Sequence, residues 1–80
     1  MNELIAILND IRPGQNFSKA DNFFEQGVLD SLDLTALVAA LESRYDVFID
    51  VDEITTDNFR NLSAIKTLLE RKGVWSSSAA

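Results

Sequence analysis

One short stretch gathers the side chains best placed to do chemistry: Phe24-Glu25-Gln26-Gly27-Val28-Leu29-Asp30-Ser31-Leu32-Asp33. It sets a single hydroxyl among carboxylates, where a polar loop runs into a long amphipathic segment. A serine in such company suggests a hydrolytic nucleophile, but the composition argues against one. The chain has no histidine, which removes the commonest general base and the commonest transition-metal ligand. No lysine lies near Ser31 in sequence to replace it. Cysteine is absent too, so neither a disulfide nor a cysteine-zinc cluster can form. Asp30 and Asp33 could act as a carboxylate pair, yet acids at a helix start are favoured by the dipole alone. Ser31 at the same place reads equally as an ordinary N-cap. Asp50, Asp52 and Asp57 superficially suggest a calcium loop, but its glycine and closing glutamate are missing. An enzyme of this size with this residue set is disfavoured.

The elements that would hold this stretch can be read in order. Leu4, Ile7, Leu8 and Ile11 recur at helical spacing, and Pro13-Gly14 closes that first helix. Residues 12–30 form a long connection through which Phe17, Phe23, Phe24, Val28 and Leu29 are scattered, so it is expected to be pinned to the core. The second helix starts at Ser31 or one residue later, with Leu34, Leu37, Val38, Leu41 and Tyr45 on its inner face. Leu32, Ala36, Ala39, Ala40 and Ser43 fall on the outer face, small or apolar where water is expected, a strip that a partner can approach closely.

Val47-Phe48-Ile49 reads as extended chain, with short helical turns near 52–54 and 57–59. A final helix follows from Leu62 or Ser63 to Lys72, capped by Asn61 or Ser63 and lined by Leu62, Ile65, Leu68 and Leu69. Gly73 stops it. The expected fold is all-α: a small antiparallel four-helix bundle, three main helices plus one short, with a long loop between the first two. Residues 1–73 make the domain, and residues 74–80, with Trp75 dangling, make a flexible tail.

Eighty residues amount to one small domain near the lower limit of self-sufficient burial. The net charge of −6 is unevenly spread. Between Asp21 and Asp57 ten acidic residues face a single base, Arg44, so this segment carries −9 and the two flanks together +3. Such a field repels nucleic acid and anionic lipid and steers basic protein surfaces toward the segment. No run is long and apolar enough for a signal peptide or membrane span. A cytoplasmic monomer is the expectation.

Asp30-Ser31-Leu32-Asp33, preceded by Phe23-Phe24-Glu25-Gln26-Gly27 and followed by Leu37-Val38-Ala39-Ala40-Leu41-Glu42, resembles the signature of acyl carrier proteins, whose wider family includes fatty-acid, polyketide, peptidyl and D-alanyl carriers. The resemblance covers residues 3–72. It implies a 4′-phosphopantetheine group, donated from coenzyme A by a phosphopantetheinyl transferase and esterified to Ser31. It further implies an acyl- or aminoacyl-activating ligase and downstream acyl-processing enzymes as partners.

The resemblance also implies a docking surface on the second helix: Leu32, Thr35, Ala36 and Ala39 facing partners, with Asp30, Asp33 and Glu42 as acidic contacts. Ala36 stands where fatty-acid carriers often have an acid, and Ala39 where they have a larger apolar residue. Gly27 precedes Ser31 by four positions rather than the usual three, similar to D-alanyl carriers and stand-alone carriers of specialised pathways. The run Phe59-Arg60-Asn61-Leu62-Ser63-Ala64-Ile65 leans the same way. The resemblance therefore implies a dedicated pathway using an amino acid or unusual acyl unit. The rival class is a non-covalent interaction module that keeps the fold and is never modified, and the intact Asp30-Ser31 pair favours the carrier.

Overall fold

The first apolar stripe does form a helix. In the computed structural model, which describes residues 2–74, α1 spans Asn2–Ile11 and buries Leu4, Ile7 and Leu8. It packs against α2, Ser31–Tyr45, whose inner face buries Leu37, Val38 and Leu41. A 3-10 turn at Val51–Glu53 leads to the short α3, Thr56–Phe59, which packs on α4, Leu62–Arg71. Ile65, Leu68 and Leu69 form the buried face of α4, with Leu62 half-buried beside them. Among the described residues there is no strand. The result is a small helical bundle of three longer helices and one short one, as the periodicities require.

The long connection between α1 and α2 is part of the core. Phe17, Phe23 and Leu29 are buried, and Phe24 and Val28 pack partly against the same cluster. Phe17 and Phe23 meet edge to face, with ring centroids 5.5 Å apart, an arrangement favoured by the ring quadrupoles. Phe23 is also the backbone hub of the loop. Its N–H donates to the Arg60 carbonyl at 2.6 Å, and its own carbonyl accepts from Val28 and Leu29 at 2.8 and 3.0 Å. Asn61 ties the same junction from the other side, donating through Nδ2 to the Asp21 carbonyl at 3.0 Å. Gly27 takes a positive φ of 71° in the turn that feeds the start of α2, a conformation that costs glycine nothing.

The ends of the helices are closed by side chains. Asn61 caps α4 by accepting from the Ala64 N–H at 2.8 Å, and Thr55 caps α3 in the same manner from Asn58. Asp46 ends α2 in the left-handed region with φ 51°, unusual for a residue other than glycine, though aspartate tolerates it better than most. Glu53 accepts from the Asp50 N–H and pairs with Lys72 at the end of α4. The hydrogen bond from Lys72 leads, with that from Asp50, in holding the Glu53 carboxyl below its usual range.

Two expectations need correction. Ala40 is half-buried and packs toward the core beside α1 rather than on the outer face, because its direction from the helix axis falls toward the α1 groove. Val74 was expected to open the tail. Its N–H instead bonds the Leu69 carbonyl at 3.1 Å and its side chain packs against the core. This follows from Gly73, whose φ of 77° turns the chain back over the end of α4. The remainder of the expected tail, Trp75 included, lies outside the described residues.

The core assignment predicts a contrast between two phenylalanines. Phe23→Ala removes a fully buried ring and should cost roughly 3–5 kcal/mol, whereas Phe48→Ala, at a residue 70 % exposed, should stay within about 0.5 kcal/mol. Urea unfolding followed by circular dichroism separates the two, and equal losses would contradict the packing described.

Candidate functional site

Which residue caps α2 decides what Ser31 is free to do. The cap is Asp30: its Oδ1 accepts the Asp33 N–H at 3.0 Å, while Asp33 Oδ2 reaches back to accept the Asp30 N–H at 3.1 Å. This is a capping box built from two aspartates, with aspartate in the position more often held by glutamate. The arrangement relieves Ser31 of the capping role that its sequence position suggested. Ser31 sits one residue further on, exposed in the first turn, and its Oγ makes no hydrogen bond among the described residues. Its carbonyl accepts from Thr35 Oγ1 at 3.2 Å, so that turn is stitched without using the Ser31 hydroxyl.

A third residue completes the corner. Arg12, just past the end of α1, donates through Nε and Nη2 to Asp33 Oδ2 at 3.2 and 2.6 Å, and through Nη2 to Asp30 Oδ2 at 3.4 Å. Asp33 is accordingly not the exposed acid its sequence position suggested: its side chain is only 14 % exposed, against 60 % for Asp30. Burial alone would raise its pKa. Hydrogen bonds from Arg12 and from the Asp30 backbone, with the guanidinium charge, outweigh that and hold the carboxyl below its usual range. The same hydrogen bond, followed by the charge of Asp33, raises Arg12 above its already high value.

Sequence reasoning missed Arg12. A base following the first helix and facing acids eighteen and twenty-one positions away leaves no local signature. The only hint was that the acids needed a counter-charge.

The remaining expected site residues divide into two groups. Leu32, 81 % exposed, lies with the exposed Thr35, Ala36 and Ala39 on one outward strip of α2. Glu42 is half-buried instead, and its Oε2 accepts the Ile49 N–H at 3.0 Å, fixing the chain that leaves α2. Beside Ser31 lies an open depression of about 580 Å³ whose lining includes Arg12, Phe24, Leu29, Leu34 and Thr56. Four parts of the fold thus converge on one serine: the end of α1, the loop, the start of α2 and the start of α3.

Residues 2–69 match the family model described as the phosphopantetheine attachment site. The D-alanyl carrier protein of Leuconostoc citreum (strain KM20) is 33 % identical over 70 residues, spanning 85 % of this chain and 88 % of that protein. No solved structure matches the chain. The chain belongs to the phosphopantetheine-binding acyl carrier family, and the group it carries is a covalent 4′-phosphopantetheine.

The corner suits such a group. An exposed hydroxyl without an internal partner is available for esterification. The N–H groups of Ser31 and Leu32 make no bond among the described residues, leaving donors at the positive end of α2 for a phosphodiester. No helix among the described residues is long and apolar enough to cross a membrane.

Two outcomes follow from this geometry. Ser31→Ala should change stability by no more than about 0.5 kcal/mol, whereas Asp30→Ala should cost roughly 0.5–2 kcal/mol as a lost cap. Thermal unfolding of the two variants checks this, and the reverse order would mean that Ser31 is the true cap. The second concerns pH. The folded pKa of Asp33 lies below its unfolded value, so its contribution is complete above about pH 4 and is lost as the pH falls through the folded value. Asp33→Asn should therefore be less stable than wild type at neutral pH and show a flatter acid limb, read from urea midpoints across the acid range.

Proposed function

We propose that this chain is a stand-alone carrier whose 4′-phosphopantetheine is esterified to Ser31, and that it shuttles an acyl or aminoacyl unit between partner enzymes. The observation that carries the reading is the division of labour at the start of α2: Asp30 and Asp33 do the capping, and Ser31 is left exposed with an unused hydroxyl. The arm supplies a terminal thiol, which the cysteine-free chain lacks, and holds its cargo as a thioester. The protein contributes address and reach rather than catalysis. It is a substrate of other enzymes and not an enzyme itself. The antiparallel order of the helices belongs to the same reading.

The partners that fit are a phosphopantetheinyl transferase, an activating ligase for the cargo acid, and downstream enzymes that accept the loaded thioester. Docking is assigned to the outward strip of Leu32, Thr35, Ala36 and Ala39. Asp30 is its exposed acid, and Asp33 and Glu42 lie at its margins with their carboxylates partly engaged internally. The flat alanine surface favours partners that approach closely, and the acidic segment favours basic ones. Likeness to a D-alanyl carrier protein and the longer Gly27-to-Ser31 spacing support an aminoacyl or unusual acyl cargo in a specialised pathway. Coenzyme A as donor of the arm sets this work in the cytoplasm, with the carrier visiting its enzymes as a monomer.

The test is the intact mass of the protein after incubation with coenzyme A and a broad-specificity phosphopantetheinyl transferase, wild type beside Ser31→Ala. A gain of one phosphopantetheine by the wild type alone is the expected result. A gain by Ser31→Ala as well would move the attachment elsewhere. No gain in either folded protein would point to a non-covalent docking module.

A further inference from the structure

Attachment of the arm poses an electrostatic problem at this corner. The phosphodiester brings a new negative charge to Ser31, between Asp30 and Asp33, in the part of the chain richest in acids. The single base of that segment, Arg44, is already paired with Glu3. The guanidinium at the corner belongs to Arg12, and its contacts differ in quality. Both bonds to Asp33 Oδ2 form a firm hold at 3.2 and 2.6 Å on a carboxylate only 14 % exposed. The reach to Asp30 is long, at 3.4 Å, and its carboxylate is 60 % exposed. Nη1 makes no hydrogen bond among the described residues, and Arg12 shares with Ser31 the lining of the open depression. A guanidinium carries five N–H donors in a fixed fork suited to phosphate oxygens. Here that fork is only partly used.

We propose that Arg12 is the phosphate-binding residue of the attachment site: it keeps Asp33 as its anchor, gives up the weak contact to Asp30, and turns its free donors to the phosphodiester on Ser31. The inference rests on Ser31 being the attachment point and adds a partner for the charge that attachment brings. In this arrangement the bond to Asp33 holds the capping box together in the unmodified and modified forms alike. The exchange of Asp30 for phosphate happens at the exposed end of the guanidinium, where little packing has to move. Arg12 approaches from α1 while the N–H donors come from α2, so the phosphate would be held from two elements at once.

The experiment compares unmodified and phosphopantetheinylated protein for wild type, Arg12→Gln and Arg12→Lys, using the arm with a free thiol. Two readouts are taken at low and high salt: the melting temperature of each form and the ³¹P chemical shift of the phosphodiester. In wild type, modification should leave the melting temperature unchanged or raise it. In Arg12→Gln, modification should lower it by on the order of 4 °C, a penalty that shrinks in high salt as exposed charges are screened. The ³¹P resonance should also move between wild type and Arg12→Gln.

Arg12→Lys keeps the charge without the fork, so it should recover most of the melting temperature of the modified form but not the wild-type ³¹P shift. If Arg12→Gln does not fold, the ³¹P comparison between wild type and Arg12→Lys carries the test. A purely structural role for Arg12 would lower both forms equally and leave the ³¹P resonance in place, and that result would overturn the proposal. A wild type that gains no arm overturns the Ser31 reading itself, and the inference falls with it. A wild type that gains the arm, with no difference among the three proteins, removes only the role given to Arg12.

Discussion

The reciprocal bond between Asp30 and Asp33 is the constraint on which the rest of this structure turns. It satisfies a donor at each end of the first turn of α2 and fixes where that helix begins. Two like charges would not hold so close unaided. Arg12 supplies the opposing charge, and its hold on Asp33 ties the end of α1 to the start of α2. The alignment of the two helices, the burial of one carboxylate and the exposure of the neighbouring serine are therefore a single arrangement. Removing Arg12 would leave the largely covered Asp33 carboxylate without its opposing charge.

The apolar periodicities made most of the fold readable. Leu4, Ile7 and Leu8, then Leu37, Val38 and Leu41, then Ile65, Leu68 and Leu69 point inward as their spacing requires. The aromatic residues of the long loop announced that it was anchored. What stayed hidden involves partners far apart in the chain, such as Arg12 with Asp33 and the Phe23 N–H with the Arg60 carbonyl. Helical spacing informs about one face of one element and is silent about which charge crosses to another. The exchange of roles between Asp30 and Ser31 was hidden for a different reason. Both are good N-cap residues, and only the backbone angles decide which takes the position.

The outward strip of α2 was legible as an anomaly before it had a meaning. Leu32, Ala36 and Ala39 stand where solvent should favour polar side chains, and the structure leaves all three exposed. Ala40 was placed with them on the outer face by its helical position, and packing reassigned it. Size alone does not tell an alanine that admits a partner from one that admits a neighbouring helix of the same chain. Asp33 and Glu42 carry the same lesson for charge: each looked like a free surface acid, and each holds a backbone N–H of its own chain.

The loop hub at Phe23 has a wider consequence. Through Arg60 and Asn61 the loop is fastened to the C-terminal half of the chain, while Arg12 fastens the start of α2 to the N-terminal helix. The setting of Ser31 therefore depends on both halves being in place. Detaching the C-terminal half removes the Arg60 and Asn61 bonds that anchor the loop leading to that corner. The corner is therefore a property of the completed fold, present only where the two ends of the chain have met.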